Sequence, residues 1–120
     1  MAQAAMLTAA TGEPPAIDRA HLKLMTFGDR SLERELLRLF DRQAEVLIAR
    51  MRQSETSVLA ALAHTLKGSA VSVGANEVAR TAAAVELAAS ASSAARAAAF
   101  ESLARAIATT RAEIAVLLQA

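Results

Sequence analysis

Apolar side chains recur every three or four residues along most of the chain beyond residue 16, which is the spacing of amphipathic α-helices. The pattern predicts five helices, approximately over residues 19–26, 29 or 31–53, 57–73, 77–90 and 94–118. The segments between them are short and polar or contain glycine, as is typical of tight turns. We therefore predict an all-α fold, an up-down four-helix bundle with a short additional N-terminal helix.

Each predicted helix has an apolar face that should lie in the bundle core. In chain order, the residues of these faces are Leu22 and Met25; Leu32, Leu36, Leu37, Phe40, Ala44, Leu47, Ile48 and Met51; Leu59, Leu62, Leu66, Ala70 and Val73; Val78, Ala82, Val85 and Ala89; and Phe100, Leu103, Ile107, Ile114 and Leu117. Capping residues mark the helix ends. The predicted N-caps are Asp18, Asp29 or Ser31, and Asn76, and the predicted C-terminal glycines are Gly28 and Gly74.

Composition supports the helical interpretation. Alanine, which has the highest helix propensity, makes up roughly a quarter of the chain, whereas the aromatic residues that strands favour make up 2%. A chain of 120 residues is long enough for a single domain with its own core. The run Gly12-Glu13-Pro14-Pro15 disfavours helix before residue 16. We predict a flexible tail over residues 1–15 and one helical domain over residues 16–120.

Charge and cysteine content narrow the function. The chain carries 13 basic and 12 acidic residues, and the two signs are interspersed, so we predict no nucleic-acid partner. There is no cysteine, which excludes disulfides and thiolate metal sites. No segment has the ~20 apolar residues of a membrane span, and the N-terminus lacks the basic region of a secretion signal. We predict a cytoplasmic protein that is not in a membrane.

The third predicted helix holds the most informative residues, in the stretch Ala63-His64-Thr65-Leu66-Lys67-Gly68-Ser69-Ala70-Val71-Ser72-Val73-Gly74. Because residues three and four apart are neighbours on a helix, His64, Lys67 and Gly68 share one face. The apolar stripe lies on roughly the opposite side. The helix can therefore bury its leucines and still present an imidazole, an ammonium group and bare backbone to a partner.

Several chemistries do not fit these residues. Ser69 lies in mid-helix, where a hydrolase nucleophile elbow cannot form. The two histidines, His21 and His64, are far apart and lack the further ligands of a zinc site, so we predict no metal. His21 is interpreted as a surface histidine. The chain has no glycine-rich phosphate loop after a strand.

A histidine that accepts a phosphoryl group fits better. A neutral imidazole is an available nucleophile near pH 7. Lys67 could offset the charge of the phosphoryl oxygens, and Gly68 removes a side chain that would obstruct a partner. A glycine in mid-helix costs about 0.5–1 kcal/mol relative to alanine, which suggests a role beyond folding. The alternative is that His64 is an incidental histidine on an amphipathic helix.

The whole stretch resembles the signature of histidine-containing phosphotransfer (HPt) domains, A-H-x-L-K-G-S-A-x-x-x-G. The matching residues are His64, Leu66, Lys67, Gly68, Ser69, Ala70 and Gly74. HPt domains are also four-helix bundles with a short leading helix, so the resemblance covers about residues 16–119. It implies a phosphocarrier rather than an enzyme, with no ATP site and no cofactor of its own.

The resemblance implies particular partners and roles. His64 would accept a phosphoryl group on Nε2 from a receiver-domain aspartate or a kinase and pass it to another receiver. The partners would be response-regulator receiver domains, which supply Mg²⁺, and a hybrid sensor histidine kinase. HPt domains place a Gln or Glu on the following helix near the histidine, and Glu86 matches by position. It could orient the imidazole, or it could be an ordinary surface glutamate.

The partner surface should surround His64. Ala60, Ala61 and Val71 are expected to form an apolar rim with small side chains and little charge. We predict a monomer. The open alternative is a helical adaptor that binds partner proteins without phosphoryl transfer.

Overall fold

The computed structural model describes residues 14–120, which form five α-helices and no strand. The helices are α1 (Arg19–Met25), α2 (Arg30–Arg52), α3 (Thr56–Val73), α4 (Asn76–Ala88) and α5 (Ser93–Gln119). The predicted all-α fold is confirmed. The greater part of the predicted tail, residues 1–13, lies outside the described residues.

Three helices begin at side-chain caps, of which Asp18 and Asp29 were predicted and Ser92 was not. The carboxylate of Asp18 accepts from the N–H of His21, and that of Asp29 accepts from the N–H of Leu32. Both caps satisfy N–H groups that have no partner within the helix. The hydroxyl of Ser92 does the same at the start of α5.

The turn between α3 and α4 differs in detail from the prediction. Gly74 ends α3 in the left-handed conformation, with φ of 79°, as its position predicted. The prediction that Asn76 caps α4 is wrong, because Ala75 is the N-cap and Asn76 is already helical. The turn has only two residues outside the helices, so no position remains between Gly74 and the helix except that of Ala75. At its other end, α4 stops at Ala88, two residues before the expected Ser90.

The four longer helices form a closed ring, in which α2 packs against α3, α3 against α4, α4 against α5 and α5 against α2. The short α1 packs against α3. Consecutive helices of the ring are therefore neighbours, as short connections require. Within the ring, α3 lies between α2 and α4, which leave its outer face uncovered.

The core follows the predicted faces with two exceptions. All five stripe residues of α3 and all four of α4 are buried: Leu59, Leu62, Leu66, Ala70, Val73, Val78, Ala82, Val85 and Ala89. Met25 and Leu32, both expected inside, are 47% and 43% exposed. Leu32 is five residues before the buried Leu37, which rotates it about 140° around the helix. Met25 is the last residue of a two-turn helix whose inward position is taken by Leu22.

The segment before α1 joins the end of α3 to α5. The carboxylate of Glu113 accepts the N–H groups of Ala16 and Ile17 at 2.9 and 2.7 Å. The N–H of Asp18 donates to the carbonyl of Gly74 at 2.8 Å. Ile17 is fully buried. These contacts fix α1 against the bundle end that holds the C-terminus of α3.

Candidate functional site

The middle of α3 presents a chemically distinct outer face because the helix buries its leucines on the opposite side. Leu62 and Leu66, which flank His64 in sequence, are 8% and 0% exposed. The side chain of His64 is 65% exposed. The same amphipathic pattern that folds the bundle therefore places the imidazole in solvent.

Glu86 of α4 is within hydrogen-bond distance of one nitrogen of this imidazole. Its carboxylate oxygens lie 3.0 and 3.3 Å from Nδ1 of His64. An ionised carboxylate can only accept hydrogen bonds, so Nδ1 is the nitrogen that carries the proton in this contact. In the neutral imidazole, Nε2 then keeps its lone pair. The contact thus leaves Nε2, rather than Nδ1, available to an incoming group.

Lys67 lies one turn beyond His64 and faces the same carboxylate. Its Nζ is 3.8 Å from Oε1 of Glu86, and its side chain is 38% exposed. Glu86 is therefore adjacent to both His64 and Lys67. The three residues form a half-exposed cluster with an imidazole, an ammonium group and a carboxylate.

Gly68 leaves the helix backbone open on this face. A Cβ atom built on it would meet no atom within 4 Å outside its own helix backbone. The glycine is therefore not needed for packing inside the described chain. Of the expected rim residues, Ala61 and Val71 are exposed and Ala60 is half-buried.

The structure thus brings His64, Lys67, Gly68 and Glu86 together, with Ala60, Ala61 and Val71 on the same helix. Glu86 could be placed beside His64 from sequence only through the family resemblance, because the two residues lie on different helices.

A stripe of exposed apolar residues on α2 was not predicted from the sequence. It consists of Leu32, Leu39 and Val46, which are 43%, 49% and 56% exposed. The seven-residue spacing puts them on one edge of α2. Asp41 and Glu45, whose carboxylates bind Arg111 of α5, lie about 140° away around the helix. The stripe therefore lies on the side of α2 away from α5, towards α3. Its spacing was visible in the sequence as a heptad repeat beside the core face.

His21, interpreted as a surface histidine, is only partly exposed. Its side chain is half-buried, and its Nε2 is covered and has no hydrogen-bond partner among residues 14–120. The short helix α1 that carries it packs against α3.

Nowhere between residues 14 and 120 do three or more His, Cys, Asp or Glu side chains converge in a way that could hold a metal ion. None of the helices in the same range combines the length and the apolar character that crossing a bilayer requires.

Comparison with known proteins agrees with this architecture. The model of the Hpt domain family matches residues 35–120, which is more than half of the chain. The chain therefore belongs to the Hpt domain family, whose members act in phosphotransfer as carriers rather than as classical enzymes.

A solved structure shows the same fold. It is an X-ray structure of a rice protein provisionally named a histidine-containing phosphotransfer protein, with 20% sequence identity and a TM-score of 0.79. The match covers 98% of this chain and 89% of the rice chain. No curated protein sequence matches the chain significantly.

Proposed function

We propose that this protein is a phosphocarrier of a two-component phosphorelay. His64 accepts a phosphoryl group from a receiver-domain aspartate or from a kinase and passes it to another receiver domain. The observation that carries the proposal is the contact of Glu86 with Nδ1 at 3.0 Å on an exposed imidazole. Membership of the Hpt domain family supports the same role.

The proposed transfer is a displacement at phosphorus. The lone pair of Nε2 attacks the phosphoryl group of an aspartyl phosphate, an N–P bond forms, the P–O bond breaks and the aspartate carboxylate leaves. The imidazole, which was neutral, becomes a cationic phosphohistidine that still carries its proton on Nδ1. Transfer to the next receiver is the same exchange in reverse.

Glu86 and Lys67 have complementary roles in this proposal. The carboxylate of Glu86 fixes the ring and stabilises the positive charge that the imidazole gains, because a charge-assisted hydrogen bond is stronger than a neutral one. Lys67 offsets negative charge on the phosphoryl oxygens. The protein supplies no cofactor of its own, and Mg²⁺ acts in the receiver partner.

The proposed partner surface is the face around His64. Ala60, Ala61 and Val71 supply small apolar contacts, and the open position at Gly68 lets a partner approach the helix closely. The apolar stripe on α2 extends this face on the side of α3. An exposed apolar area of this kind is typical of a surface that binds another protein.

We propose that the partners are response-regulator receiver domains and a hybrid sensor histidine kinase. A carrier that meets several receivers in turn needs a single accessible histidine and a freely exposed face, so we propose a monomer. The cytoplasm, where such partners exchange phosphoryl groups, is its proposed location.

The decisive test is labelling by a phosphorylated receiver domain. The wild-type protein is expected to acquire an acid-labile, base-stable label, and His64→Gln should acquire none. His21→Gln is the matched control, because it replaces the other histidine, and it should be labelled like the wild type once its fold has been checked by circular dichroism.

Label on His64→Gln equal to that of the wild type would refute the proposal. Binding of a receiver to both proteins, with no label on either, would instead identify an adaptor without phosphoryl transfer.

A further inference from the structure

A groove between α4 and α5 lies apart from the phosphoryl site. Asn76 and Arg80 of α4 line it together with Arg105 and Thr110 of α5, and residues 14–16 close one side. Arg80 is six residues before Glu86, so it projects about 120° away from it around α4. None of the residues that line the groove belongs to the His64 cluster.

A buried hydroxyl in the groove has no partner. Thr110 is 1% exposed, and its Oγ1 has no hydrogen-bond partner among residues 14–120. The other buried threonines behave differently: Thr26 and Thr81 both donate to the carbonyl four residues earlier, at 2.8 Å. A buried polar group without a partner destabilises a fold, because the hydrogen bonds it made to water are lost and not replaced. The exception therefore indicates that a group which accepts or donates a hydrogen bond belongs beside Thr110.

The start of α4 adds N–H donors to the same groove. Its N-cap is Ala75, and no side chain accepts from the first turn, which begins at Asn76. The first N–H groups of a helix have no partner within it, and the helix dipole makes this end positive. Together they favour an anion.

Two guanidinium groups border the groove and retain free donors. Arg80 binds the carboxylate of Glu77 through Nε, at 3.0 Å, and through Nη2, which leaves Nη1 for another acceptor. Arg105 donates to the hydroxyl of Ser102 from Nη2 at 3.3 Å, and its Nη1 lies 3.8 Å from the carboxylate of Glu101. Since Glu77 also lines the groove and carries a negative charge, a small anion with one or two charges fits better than a polyanion.

We propose that this groove is a second binding site, for a small oxyanion such as a carboxylate or phosphate group. The donors are Nη1 of Arg80, the first N–H groups of α4 and the hydroxyl of Thr110. A bound oxyanion would join α4 and α5 beside residues 14–16 and so stabilise that end of the bundle. The proposal is independent of the phosphocarrier role, because it concerns the unphosphorylated protein and other residues.

The test is an NMR titration of the full chain with sodium phosphate and, separately, with sodium acetate, at ionic strength held constant with sodium chloride. Saturable shifts are expected for the amides of Asn76, Glu77 and Thr110, and none for Gly68. Saturation with only one of the two salts would identify the group that the site prefers. Linear shifts with both salts, equal to those in chloride alone, would overturn the proposal.

Variants make the test specific. Arg80→Gln should weaken binding about fivefold or more, because a charge-assisted donor is lost. Arg38→Gln is the matched control, since Arg38 also pairs with a glutamate three residues earlier, Glu35, but on α2. Thr110→Val should weaken binding without lowering the melting temperature, because the lost hydroxyl has no partner in the free protein. Equal affinity in the Arg80 and Arg38 variants would also overturn the proposal.

Discussion

The two glycines of the signature on α3, Gly68 and Gly74, differ in backbone conformation and in what surrounds them. A Cβ on Gly68 would meet nothing within 4 Å, and the residue lies in the middle of the helix. A Cβ on Gly74 would lie 2.8 Å from the carbonyl oxygen of Asp18, and the residue has φ of 79°. The fold therefore requires Gly74, whereas nothing inside the described chain requires Gly68.

This difference separates the two ends of one sequence motif. The stretch from His64 to Gly68 presents chemical groups to solvent. At the other end, the carbonyl of Gly74 accepts a hydrogen bond from the N–H of Asp18, just before α1. A signature that matches as one string thus combines a proposed functional part with a structural part. Substitution of Gly74 should therefore lower stability, whereas substitution of Gly68 should slow phosphoryl transfer.

The largest effect on stability is expected for Gly74→Ala. Alanine is strained at a positive φ, and its Cβ would collide with the backbone of Asp18, so we expect a loss of about 2–4 kcal/mol in the free energy of unfolding. Urea denaturation measures it. Gly28→Ala is the control, because Gly28 has φ of 74° but only an ordinary contact of 3.9 Å with Lys23. Its loss should be about 1 kcal/mol, and equal losses would contradict the role of the Asp18 contact.

The helices could be predicted from sequence because they depend on local signals. The spacing of apolar residues and the caps Asp18 and Asp29 defined their number and approximate ends. The turn after α3 was less predictable, since Asn76 looks like an N-cap and only the two-residue geometry assigns that position to Ala75. The partial burial of His21 was also not predicted, because it depends on tertiary packing rather than on the neighbouring residues in sequence.

Only the part of the candidate site that lies on one helix could be predicted from residue spacing. His64, Lys67 and Gly68 lie on one helix, so their spacing alone brings them together. Glu86 lies 22 residues after His64, and only the packing of α4 on α3 brings its carboxylate within 3.0 Å of Nδ1. The groove beside Thr110 joins two helices and residues 14–16, and no sequence pattern indicated it.

Gly68→Gln should show the opposite effects from Gly74→Ala. Removing a mid-helix glycine should raise the free energy of unfolding by about 0.5–1 kcal/mol, because nothing obstructs the new side chain. Phosphoryl transfer from a receiver should slow about tenfold or more, because a small displacement of the partner has a large effect on rate. Initial labelling rates measure it. Ala98→Gln adds the same side chain to an exposed position of α5 and should leave transfer unchanged. Unchanged transfer in Gly68→Gln would contradict the steric argument.

Glu86→Gln tests the contact of α4 with His64, which lies in the same part of the motif as Gly68. The amide keeps the size of the side chain but loses its charge, so it stabilises the cationic phosphohistidine less well. We expect transfer to slow about three- to tenfold with little change in stability, since the carboxylate is partly exposed. Glu77→Gln, on the same helix but remote from His64, is the control for any general effect of removing a carboxylate from α4. A similar slowing in both variants would show that Glu86 does not act through His64.

The smallest effect concerns Glu77, three residues after Gly74, and it appears in the pH dependence of stability. The hydrogen bond from Arg80 holds the pKa of Glu77 below its ordinary value of 4.5. A carboxyl group whose pKa is lower in the folded state stabilises the fold above pH 4.5, and this contribution is lost as the pH falls through the folded-state pKa. Because the Glu77 side chain is 53% exposed, solvent screens the pair and the contribution should be smaller than the gain from Gly68→Gln. The melting temperatures of the wild type and Arg80→Gln should therefore differ slightly at pH 7 and not at pH 2.5. An equal difference at both pH values would show that Arg80 stabilises this end of the bundle through packing rather than charge.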